Sequence, residues 1–186
     1  MIRLFGLRIY RYLLVLLLFS EPFLLGACTS STQLNSERIA ERYGSFGIEI
    51  LQSGDDRRLS SLYSVSEGKK TMRTLALVDF RAANDSNIVQ EHERILAGES
   101  IGAVFKESGW TIDKISSHYC QTQLDFNSLP ELLRMEIELP ATLATRRYTF
   151  RVRKGAVTID YANITEIYHP DYLQAADLTS ANLVDC

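Results

Sequence analysis

Arg146-Arg147-Tyr148-Thr149-Phe150-Arg151-Val152-Arg153-Lys154-Gly155 is where the fold of this chain is read. Tyr148, Phe150 and Val152 alternate with Thr149, Arg151 and Arg153, the period of a strand with one buried face. Lys154-Gly155 turns the chain, and Ala156 to Tyr168 returns as the partner strand. Along that return the apolar residues Val157 and Ile159 sit at odd positions, whereas Ile164 and Tyr168 sit at even ones. The change of parity predicts a β-bulge near Ala162-Asn163. Its consequence is chemical, because Glu166 then lies between Ile164 and Tyr168 on the inward face. A carboxylate taken out of water needs a partner or a ligand.

Working back along the chain, the same unit occurs again. Arg57-Arg58 opens a first hairpin as Arg146-Arg147 opens the second, and Ser66-Glu67-Gly68-Lys69 turns it. Asp79 follows Gly68 by the same eleven residues that separate Glu166 from Gly155. The repeat therefore sets Asp79 opposite Glu166. In the first copy Leu75, Leu77 and Asp79 share one face of the strand, and Thr74, Ala76, Val78 and Phe80 share the other.

Between and around the hairpins lie shorter signals. Ser36-Glu37-Arg38-Ile39 reads as a capped helix start ending near Gly44, and Phe46 to Gln52 alternates as a strand. Asn84-Asp85-Ser86 caps a helix carrying Ile88, His92, Ile95 and Leu96, and a second short helix runs from Ser100 to Phe105. Trp110 to Tyr119 reads as a strand with Trp110, Ile112 and Ile115 inward, and Ser128-Leu129-Pro130-Glu131 opens a further helix. The expected architecture is α+β, with one antiparallel sheet of about five to six strands and short helices on one side.

The N-terminus carries an address. Arg3, Arg8 and Arg11 precede the apolar run Tyr12 to Ser20, the order of parts of a secretory signal. Leu25-Gly26-Ala27-Cys28 resembles the lipobox of bacterial lipoproteins. The resemblance implies cleavage after residue 27 and acylation of Cys28, which anchors the chain in a membrane. Thr29, rather than an aspartate, by the same analogy favours the outer membrane, with the domain facing the periplasm. The alternative is an uncleaved transmembrane helix, but the run is short and Glu21-Pro22 interrupts it. The expected organisation is a signal peptide at 1–27, a polar tether at 28–36 and one globular domain at 37–186. Losing Arg3, Arg8, Arg11 and Glu21 with the leader takes the net charge from −3 to −5. With no basic run, nucleic acid is a poor partner.

An oxidising compartment lets Cys120 and Cys186 form a disulfide; two free thiols are the alternative. His92, His118 and His169 are scattered, with no metal-ligand spacing. The chain contains no GxSxG, phosphate-binding glycine loop or CxxC, so neither a metal nor a cofactor is expected.

Several of these segments together resemble the chorismate lyase-like superfamily, which includes bacterial chorismate lyase and the UTRA effector-binding domain. They are the paired arginines, strand and turn of 146–155, the closing Asn163-Ile164-Thr165-Glu166 strand, and the loop Gly98-Glu99-Ser100-Ile101-Gly102. The resemblance implies a cavity whose wall includes Ile101 and Gly102, with Glu166 pointing in. It also implies that Arg58, and less directly Arg73, holds a ligand carboxylate. The eleven-residue spacing before Glu166 and the acid at Asp79 depart from the lyase pattern. Three functions compete. The first is a lipid-anchored module holding a small aromatic or cationic ligand at Glu166 and Asp79. The second is an envelope scaffold or assembly lipoprotein that binds a partner protein, and the least favoured is an enzyme with Glu166 as general acid.

Overall fold

The computed structural model describes residues 33–124 and 141–174. The elements follow in the order α1 (Asn35–Tyr43), β1 (Gly47–Ser53), β2 (Arg57–Ser66), β3 (Lys69–Phe80), α2 (Val89–Leu96), α3 (Ile101–Glu107), β4 (Thr111–Leu124), β5 (Ala141–Lys154) and β6 (Val157–Tyr168). The six strands form one antiparallel sheet in the order β1-β2-β3-β6-β5-β4. The α+β expectation is met. The helix expected at Ser128 to Glu131, Cys28 and Cys186 all lie outside the described residues.

That strand order gives the repeat its physical meaning. Each half is a three-stranded meander, and the closing strands β3 and β6 pair at the centre of the sheet. Both hairpin turns use backbone with positive φ, at Glu67 (52°) and Gly68 (77°) and at Gly155 (59°). Two-residue turns of this hand match the twist of the strands they join. In both copies an arginine stands across from an acid, Arg57 from Asp79 and Arg146 from Glu166.

The two pairs nevertheless point to opposite faces, and here the expectation for Asp79 is corrected. Val78 and Phe80 pack into the helix-side core, so the residue between them faces away. Asp79 pairs with exposed Arg57 at 2.7 Å, and its neighbour on β6 is Asn163. Glu166 stands beside Ala76 instead. Each closing strand carries one register irregularity between its turn and its acid, at Arg73 on β3 and Tyr161 on β6. The copies already differ near the turn, where Met72 joins the back-face cluster and its counterpart Ile159 the helix-side core. On β6, Phe150 pairs with Ala162 while Arg151 pairs with Asp160, leaving Tyr161 as the extra residue. This is within one residue of the bulge expected from parity. It turns Ala162, Ile164, Glu166 and Tyr168 inward.

A second bulge lies in β4, between Ile115 and His118, with Ser116 at φ 51°. Before it, Ile112 and Lys114 face the helices; after it, Tyr119 does. Ile115 is only half-buried, and Lys114 takes the inward position expected for it. Cys120 is fully buried and disulfide-bonded. Cys186, its expected partner, falls outside the described residues.

The helices cover one face. Ile88 and Ile95 of the α2 region and Ile101, Val104 and Phe105 of α3 join Trp110, Phe150, Val152 and Tyr161 in the main core. Phe105 lies 4.8 Å from Tyr161, 5.9 Å from Phe150 and 6.0 Å from Trp110 between ring centroids. Burial of that kind is worth a few kcal/mol per side chain. Ile39 of α1 packs with Leu62, Ala76, Tyr168 and Tyr172 over the other half. A smaller cluster, Met72, Leu75 and Leu143, holds the opposite face.

The first helix corrects the tether boundary. α1 begins two residues before the capped start expected at Ser36–Glu37. The Leu34 amide donates to the Glu37 carboxylate, which satisfies one of the orphan groups at the helix start. Leu34 and Asn35 are buried, and Asn35 donates to Thr74 Oγ1 at 3.0 Å. They belong to the fold rather than to a polar tether.

Candidate functional site

A cavity of about 60 Å³ lies between the sheet and the starts of α1 and α3. Its floor is formed by alternate residues of four neighbouring strands, Arg58, Ser60 and Leu62 of β2, Ala76 and Val78 of β3, Ile164 and Glu166 of β6, and Tyr148 and Phe150 of β5. Lys114 reaches it from β4, and Leu34 to Ser36 and Ser100 to Gly102 form the roof. Phe46 and Ile48 close one side. The space is large enough to admit water or a small molecule.

Of the residues the sequence nominated, Glu166, Ile101, Gly102 and Arg58 come together here. Asp79 and Arg73 do not. Arg73 sits at the irregularity between Leu62 and Tyr63 in the β2–β3 register, where its Nε donates to Ser64 Oγ at 2.9 Å. Its guanidinium lies 3.8 Å from the centre of the Tyr43 ring. That stacking uses the charge of Arg73 within the packing of α1 on the sheet.

Glu166 is 3% exposed and hydrogen-bonded through both oxygens. Tyr168 donates its hydroxyl to one carboxylate oxygen at 2.6 Å, and Tyr148 donates to the other at 3.1 Å. Burial, and then the adjacent Glu166, push both phenols well above their ordinary range, so they remain donors. A general-acid role for Glu166 would first require one of these bonds to break.

Arg58 is 2% exposed and also serves the fold. Its Nη1 donates to the carbonyls of Ile95 at 2.9 Å and Glu99 at 3.1 Å. A cation at the end of α2 meets a carbonyl of its last turn, which also accepts the Gly98 amide, a carbonyl of the loop beyond, and the negative end of the helix dipole. Burial lowers its pKa, leaving the guanidinium charged. Two buried polar atoms of the wall have no hydrogen-bond partner: Arg58 Nε and Ser60 Oγ. A buried group left unpaired costs about 1–3 kcal/mol.

Lys114 is the member of this site that sequence reading missed. Its ammonium donates to the Gln33 carbonyl at 3.2 Å and lies 5.1 Å from the centre of the Tyr148 ring. Burial pulls its pKa down to about 8, against Glu166 and Glu37, which favour the charge; Arg146 and Arg38 oppose it. Strict alternation through Trp110 and Ile112 would have found it. The apolar side chain of Ile115 drew attention to the wrong parity.

Gly102 is small for a reason the resemblance did not supply. A Cβ there would sit 2.5 Å from Leu34 Cδ1 and 3.1 Å from its Cγ. Leu34 thus seals the roof by packing on bare helix backbone. Gly102→Val should lower stability by about 2 kcal/mol through overpacking. Gly102→Ala should cost less, because alanine regains about 1 kcal/mol of helix propensity. Chemical denaturation checks this order, and an unchanged valine variant would show that Leu34 is free to move.

His92 accepts or donates a 2.8 Å hydrogen bond with the Tyr161 hydroxyl inside the core. No group of three or more metal-ligating side chains occurs among the described residues. Compared with protein-family models and with curated proteins, the chain matches none.

Proposed function

We propose that this chain is a lipid-anchored lipoprotein of the bacterial cell envelope whose domain, chorismate lyase/UTRA-like in organisation, binds a small ligand between sheet and helices. The observation that carries the reading is one cavity that gathers Glu166, Arg58, Ile101 and Gly102 from three separate segments of the chain. A second support is the cost the fold bears there. It buries the charged side chains of Arg58 and Glu166, half-buries Lys114 and leaves two polar atoms unpartnered, where a filled apolar core would be more stable.

The anchor follows from Cys28 and its lipobox-like setting, with the outer membrane favoured by Thr29. Two or more acyl chains suffice to hold a folded domain at a membrane. Six residue steps separate Cys28 from Leu34, which limits their distance to about 20 Å. The cavity roof therefore stays close to the membrane surface in this reading. The partner-protein alternative asks for a broad apolar patch. Among the described residues the large exposed apolar side chains are Val65, Val89 and Leu96.

Two measurements test the proposal. Detergent phase partitioning should place the chain with the detergent and the Cys28→Ser variant in the aqueous phase; equal partitioning would remove the anchor. Native mass spectrometry of chain extracted from envelopes should show a small adduct that Ile101→Trp, which fills the cavity, abolishes. An adduct-free chain that also binds none of a small-molecule panel would remove the ligand.

A further inference from the structure

We infer that the cavity is built for a small monoanion, a carboxylate-sized group held at Lys114. The inference rests on the ligand-binding reading above and gives the ligand a charge, in place of the aromatic or cationic ligand expected from Glu166 and Asp79. Two cations, Arg58 and Lys114, line the cavity against one carboxylate. Asp79 is on the other face of the sheet, so Glu166 is the one acid among the lining residues.

The single lining acid is also already shared. Both oxygens of Glu166 accept tyrosine hydroxyls, and its charge lies beside Arg38 and Lys114, which an incoming ammonium would meet as like charges. Its neighbours add further positive charge. Arg38 on α1 interacts with Glu166 and Tyr168, and Arg146 stacks 5.2 Å over Tyr148 on β5. A lysine in such company, whose one hydrogen bond is to the Gln33 carbonyl, carries its charge at a cost. Arg38 and Arg146 repel its charge, burial opposes it, and Glu166 and Glu37 only partly restore it. One added anion would offset the excess of the two lining cations over Glu166. The apolar remainder of the lining, including Val78, Phe150 and Ile164, suits a short hydrocarbon part.

The test uses three probes of one shape and three charges, butyrate, butyramide and butylamine, with the full chain in non-ionic detergent and ligand-observed NMR. Butyrate should bind at least tenfold more tightly than butyramide, and butylamine should give no signal. Lys114→Met should weaken butyrate at least tenfold, whereas Lys69→Met, at the exposed start of β3, should not. Binding should also weaken as pH rises through about 8 and the lysine loses its proton. The groups facing Lys114 are Glu37 and Arg38 from α1, Arg146 and Tyr148 from β5, and Glu166 from β6. Because the fold opposes the Lys114 charge, the methionine variant should melt no lower than the parent at pH 7, which separates lost binding from lost folding. Equal binding of butyramide or butylamine, or an unaffected Lys114→Met, overturns the monoanion while leaving a ligand cavity. Failure of all three probes overturns the monoanion, and together with an adduct-free extracted chain that binds none of the small-molecule panel it overturns the ligand cavity as well.

Discussion

Glu166→Ala should melt about 10 °C below the unaltered chain. The substitution removes the acceptor of two buried phenol donors, Tyr148 and Tyr168, whose alternatives are few in this part of the core. It also removes the anion that offsets Arg38 and Lys114. Breaking a buried charge arrangement from one side costs about 3–5 kcal/mol. In a domain of this size each kcal/mol moves the midpoint by about 2–4 °C. Glu166→Gln should cost less, about 1–2 kcal/mol, because one carbonyl acceptor survives while the amide confronts a hydroxyl. Lys114 supplies an independent readout. Glu166 raises its pKa, so both variants should carry it below about 8. Thermal melts and an NMR titration of the Lys114 side chain check the two effects. An alanine variant melting within about 2 °C of the parent, with Lys114 unmoved, would show that the carboxylate is solvated and unpaired.

Phe105→Ala is the second large effect, about 3–5 kcal/mol, and it acts on the same site from behind. Phe105 is fully buried, with Tyr161, Phe150 and Trp110 around its ring. Truncation loses the transfer free energy of the ring and leaves a hole that three aromatic neighbours fill only in part. α3 has seven residues, too few to persist as a helix without tertiary packing. Loosening Phe105 should therefore also release Ile101 and Gly102, which roof the cavity. The expected observation is a denaturant midpoint lowered with little change in slope, together with fast amide exchange confined first to α3. Leu96→Ala, at an exposed position on α2, should stay within about 0.5 kcal/mol. A Phe105→Ala variant as stable as Leu96→Ala would refute the packing.

How Glu166 came to be legible, and Asp79 to be misread, turns on one kind of information. On β6 the apolar residues themselves change parity, so the bulge and the inward direction of Glu166 can be read within a dozen residues. On β3 both faces are apolar. Leu75 joins the small back-face cluster, while Val78 joins the helix-side core. No local pattern tells which side the helices will choose, and Asp79 follows the wrong one. Lys114 shows the converse, since its alternation with Ile112 was present but a charged side chain at a core position argues against itself until its partners are known.

By itself, then, the sequence determined the α+β class, the two hairpins with their turns, the bulge in β6 and the burial of Glu166. These rest on turn chemistry and on period-two alternation, which act over a few residues. The strand order, the β3–β6 junction that sets Glu166 beside Ala76, and the assembly of Arg58, Ser60 and Lys114 around one cavity were decided by tertiary structure alone. Register between distant strands is chosen by which whole faces bury best against the helices. A one-residue slip exchanges every side chain between the two faces of a strand. That choice belongs to the packed sheet, because no single strand holds the information that makes it.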